Sequence, residues 1–140
     1  MKALAPALAA MLLVSGAAVA QTDDLRMDDA WEDAVGDQEN VLTEAQFATF
    51  NNLAFQAAAA KVCDNYALDD AKFAQAISEA AVPQATGLTP EQTDEWKTAV
   101  LIRFGTTYGL FLAEGNAGKE AFCASAEELR KDAEVPNYWK

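Results

Sequence analysis

Apolar residues recur at three- and four-residue spacing through most of this chain, and nowhere do they alternate as a half-buried strand would require. From residue 43 onward, Phe47, Phe50, Ala54, Ala57 and Lys61 follow one helical stripe, broadened by Leu53, Ala58 and Val62. Thr43 with Gln46 three places later is a capping box that sets the start. Residues 57–60 are all alanine; they favour helix and let a neighbour come close. A second, shorter helix is predicted over 70–81, capped by Asp69, with Phe73, Ala76, Ile77, Ala80 and Ala81 on one face. Pro83 argues against its continuation, and residues 82–88 read as a loop.

Thr89, Pro90, Glu91 and Gln92 form the strongest boundary, with a cap, a proline at the first helical position and a second box. The helix that follows is expected to run to Ala113 or Glu114. Trp96, Val100, Phe104, Tyr108 and Phe111 make one face, while Leu101, Ile102, Leu110 and Leu112 cover much of the rest. Arg103 is the one charge between Thr98 and Ala113. A helix apolar nearly all round is expected to be the buried centre of its domain. Residues 114–117 read as a turn. The last helix, about 118–132, carries Phe122, Ala126 and Leu129 as a seam with Cys123 beside it. Pro136 ends it, and Val135, Tyr138 and Trp139 form an apolar tail expected to pack back across the body. Upstream, Leu25, Trp31 and Val35 suit one side of a short helix near 26–35, docked through Trp31. The pattern therefore predicts an all-α bundle of about four helices, plus a short N-terminal helix, over residues 43–140, preceded by an acidic lead-in at 21–42.

The first twenty residues have a different pattern. Lys2 precedes an uncharged Ala/Leu-rich stretch, and Ala18, Val19 and Ala20 give a small-x-small cleavage site. The stretch is too short and wrongly flanked for a membrane anchor, and no cysteine follows the expected cut to carry lipid. Export to the periplasm or the exterior is expected, with Gln21 as the first mature residue and no stable membrane insertion afterwards.

Charge and cysteine usage then narrow the chemistry. The chain has a net charge of −12, and loss of Lys2 leaves nine basic residues against 22 acidic ones. That field repels nucleic acid and anionic lipid heads, and suits a cationic protein partner. Cys63 and Cys123, an even count outside the cytoplasm, read as one disulfide. There is no histidine. This excludes the usual serine and cysteine triads, His-based zinc sites and Glu-x-x-His di-iron pairs. No catalytic residue, cofactor or metal is assigned. Asp33 to Glu44 places acids at three positions of a calcium loop. The match fails at Val35, at Gln38 in place of the turn glycine, and at Asn40.

Two candidate sites remain. In the lead-in, residues 23–39 hold eight acids against the single Arg26. There Asp28, Asp29, Glu32 and Asp33, with Trp31 as an apolar anchor, form a recognition surface for a cationic partner. On the long helix, Arg103, Phe104, Gly105, Tyr108, Gly109 and Phe111 could line a small-ligand pocket. The opposing expectation is that the two glycines admit a close-packed neighbour, since each costs about 1 kcal/mol relative to alanine. The sequence thus favours a non-enzymatic interaction module; a small-ligand carrier comes second and a carboxylate-dependent hydrolase a remote third.

Overall fold

A computed structural model describes residues 21–36 and 41–140, with the backbone alone for residues 21–26, 35 and 36. The expected signal segment, Gln38 and Asn40, and the side chains of Leu25 and Val35 lie outside the described residues. The fold is all-α: α1 (Gln21–Gly36), α2 (Glu44–Val62), α3 (Asp70–Ala80), α4 (Pro90–Ala117) and α5 (Lys119–Lys131).

Local chemistry sets the starts. Both capping boxes form, Thr43 with Gln46 and Thr89 with Gln92, and Asp69 caps α3 by accepting from the Lys72 amide. Gln46 does more than close its own box. Its Nε2 donates to the carbonyls of Ala80 (3.1 Å) and Val82 (2.8 Å), so the start of α2 also fixes the turn that leaves α3. Trp96 Nε1 donates to Val41 O at 2.8 Å and ties α4 to the entry of α2.

α2 is the buried centre. Leu53, Ala54, Gln56, Ala58 and Ala59 are fully or nearly fully covered. Its largest interface is with α4, and it also touches α3 and α5. The core has two parts. The lower one gathers Ala58, Ala59, Val62, Phe122, Ala126 and Trp139 around the Cys63–Cys123 disulfide, whose Cα atoms stand 5.6 Å apart. The upper one holds Phe50, Leu53, Val100 and Tyr138, with Phe73, Ile77, Trp96 and Phe104 packed against it.

The C-terminal tail packs back as its aromatics predict. Tyr138 and Trp139 are buried, and the tail pairs with residues 67–69 through Asp69 N to Tyr138 O and Lys140 N to Ala67 O. Trp139 meets the Tyr66 ring, over which Arg130 lies at 3.9 Å. Desolvation first, and then a hydrogen bond to Glu127, raises the Tyr66 hydroxyl above its ordinary pKa. Glu127 is held below the usual carboxylate range by Lys131 and by that same hydroxyl.

Two expectations for α4 are corrected. It runs four residues beyond Ala113, through the segment read as a turn. Gly115 serves close packing there: a Cβ would lie 2.9 Å from Phe122 and 3.0 Å from Val62. The break comes at Gly118. Nor is α4 buried all round. Leu101 and Ile102 are 63% and 65% exposed, because α3 packs on α2 without backbone approach to α4, and none of the described helices covers the outer side of α4 at this level. Gly105 and Gly109 lie on that open side, with nothing within 4 Å of a Cβ at either position. Among the described residues, no helix packs against the two glycines. Gly105→Ala and Gly109→Ala should therefore each raise stability by about 0.5–1 kcal/mol in urea unfolding, from helix propensity alone.

Candidate functional site

The acids of the lead-in and its tryptophan part company. Asp28, Asp29, Glu32 and Asp33 are exposed along α1, whereas Trp31 is half-buried, its ring 4.6 Å from that of Phe111. Trp31 thus docks α1 onto α4, the one described helix that α1 contacts.

The six pocket candidates on α4 spread over different sides of the helix. Phe104 faces the upper core, 6.1 Å from Phe50 and 6.5 Å from Phe73, ring centre to ring centre. Tyr108 and Phe111 pack on the lower core, Phe111 between Trp31 and Phe55. Arg103 is half-buried, and Gly105 and Gly109 open outward.

Two surface features come from the way α4 stands free of α3. The first is a groove of about 590 Å³ between them. Phe50 of α2 forms its floor, Ile77 and Val82 one wall, and Val100, Leu101 and Phe104 the other. Its lining is almost wholly apolar; Lys97 is the one charged residue on it. The second lies on the outer side of α4, where Glu91, Asp94, Glu95, Thr98 and Ile102 line a shallow depression. Val82, Leu101 and Ile102, the exposed large apolar side chains among the described residues, all belong to these two features. Val82 and Leu101 fall on the groove and Ile102 on the outer depression.

Leu101 and Ile102 lie in the most apolar stretch of α4, and that pattern is the same for a buried helix and for one with an uncovered apolar face. Lys97 gives no sequence signal of its own, since a lysine on a helix has the pattern of ordinary solvated charge.

Among the described residues, no group of three or more potential ligands could hold a metal ion, and no helix is long and apolar enough to cross a membrane. Compared with known proteins, the chain matches no family model, no curated protein and no solved structure.

Proposed function

We propose that this chain is an exported, non-enzymatic interaction module that holds a cationic, amphipathic segment of a partner protein against the outer face of α4. The observation that carries the reading is the exposure of Ile102 at one end of a depression whose other end is lined by Glu91, Asp94 and Glu95. An exposed apolar residue with acids about two to three turns away along the same helix offers contact energy at one point and steering beside it. The exposed acids of α1 add to the same negative field, which draws a basic segment from a distance. Export rests on the leader pattern, and a disulfide is at home in an oxidising compartment.

A synthetic amphipathic peptide of lysine and leucine is the probe, with a glutamate/leucine peptide of the same pattern as its control. Binding to protein recovered from outside the cytoplasm, at the mass of residues 21–140, should be confined to the lysine peptide and should weaken as salt rises. Ile102→Asp should reduce that affinity about tenfold or more, with the fold intact because Ile102 is exposed. Equal binding of both peptides, or an Ile102→Asp protein that binds as before, would end this reading. So would a mass that retains residues 1–20 in the membrane fraction.

A further inference from the structure

The groove between α3 and α4 has a shape and charge that the outer face lacks. α3 and α4 both pack on α2 and meet each other only through side chains such as Phe73 and Phe104, so a space is left between them with the largely covered Phe50 at its bottom. The result is a trough open to solvent, with Ile77 and Val82 on one side and Val100, Leu101 and Phe104 on the other. Its volume, about 590 Å³, lies within the range of about 300–1,000 Å³ common for small-molecule sites. The turn that carries Val82 is held from below by the two Gln46 hydrogen bonds, so this lip is built into the fold.

The polar groups at the rim select the ligand. Ser78 and Thr93 spend their hydroxyl hydrogens on the helix carbonyls of Ala74 and Thr89. Lys97 is then the one charged residue on the lining, and it is in none of the ion pairs formed by Lys119, Lys131 and Lys140. In a chain of net charge −12, the groove thus offers a cation and no carboxylate on its lining.

We propose that this groove binds a single-chain anionic amphiphile. The alkyl chain lies along Phe50, Val100 and Phe104, and the anionic head sits at Lys97. Burial of the chain supplies most of the affinity, because each methylene removed from water adds to binding. Lys97 supplies the choice of head, since a cationic head would meet like charge there.

Calorimetry with dodecanoate, kept below its micelle concentration, tests this on the purified oxidised protein, with dodecyltrimethylammonium as the opposite-charge control. Dodecanoate should bind at one site and the control at least tenfold more weakly. Ser78→Phe, on an exposed position of α3, should fill the trough and abolish binding while the thermal midpoint stays within a few degrees of the parent. Lys97→Glu should weaken dodecanoate about tenfold and narrow or invert the preference between heads. Ile102→Asp, which disables the outer face, should leave dodecanoate binding unchanged, so the two surfaces are read separately. Absence of dodecanoate binding, or binding that survives Ser78→Phe, overturns the groove. Equal affinity for the two heads, or indifference to Lys97→Glu, overturns the anionic assignment.

Discussion

Gln56→Leu is expected to lower the stability of the protein by about 3 kcal/mol and to loosen the last five residues. Gln56 is fully buried at the middle of α2. Its Oε1 accepts from the Tyr138 amide at 2.7 Å, and its Nε2 donates to Pro136 O at 2.8 Å. Its own backbone carbonyl accepts from Trp139 Nε1 at 2.9 Å. A leucine keeps that last contact and most of the volume. It leaves the Tyr138 N–H without a partner in a buried place, and an orphaned buried donor costs about 1–3 kcal/mol beyond the bonds lost. Pro136 O is partly rescued, because Asn52 also donates to it at 3.0 Å. Asn52→Ala removes that second donor and the acceptor of one Gln56 Nε2 bond at 2.7 Å, but leaves Nε2 bonded to Pro136 O and the Tyr138 amide satisfied, so it should cost about 1 kcal/mol. Urea unfolding of the two variants, with hydrogen exchange at the Tyr138 amide, checks this. Equal midpoints for parent and Gln56→Leu would show that the tail is held by its aromatics alone.

That clamp was not legible in the sequence, and the reason is physical. A glutamine within an alanine-rich helix is compatible with either solvent or a buried partner, and the partner lies 82 residues away. The starts of α2, α3 and α4 were legible, because each is set by groups within three or four residues of one another: the two threonine boxes and Asp69. The Tyr138 and Trp139 tail was legible too, since two adjacent aromatics favour cover. The cover of α4 was not. Periodicity reports how many sides of a helix are apolar, whereas burial depends on whether α3 leans on it, which is settled by the turn that Gln46 holds. The same turn makes the groove, so the candidate ligand site was hidden in the sequence for the reason that α4's exposure was. Gly115 misled in the opposite direction: a glycine that looked like a turn is a contact point for Phe122 and Val62 inside a continuous helix.

Removing the disulfide is expected to have the largest effect of any small change. The bridge closes a separation of 60 residues, and the loop-entropy relation assigns it about 4 kcal/mol. Against a typical domain stability of about 5–15 kcal/mol this is a third or more of the total. The loss should be unevenly distributed. α5 has no side-chain cap at its start and joins α4 through Gly118 alone, whereas α2 and α4 each begin in a complete box. In the Cys63→Ala/Cys123→Ala protein, amide protection should therefore fall first in α5. The tail should follow, because Trp139 packs in the same cluster as Phe122 and Ala126 and beneath Arg130 of α5. The α2–α3–α4 part, with the groove, should be the last to open. A urea midpoint for this variant that implies a loss of less than about 1 kcal/mol, or loss of protection in α3 ahead of α5, would contradict the argument. The parent protein should show no titratable thiol when unfolded without reductant. Because such a bridge persists in an oxidising compartment and is rare in the cytoplasm, residues 21–140 made in a reducing cytoplasm should lack this stabilisation and be loosest at α5 and the tail. Under the proposed export, leaving the cytoplasm and closing the lower core would be coupled through one covalent bond, and urea unfolding and amide exchange on that reduced protein should reproduce the cysteine-free variant.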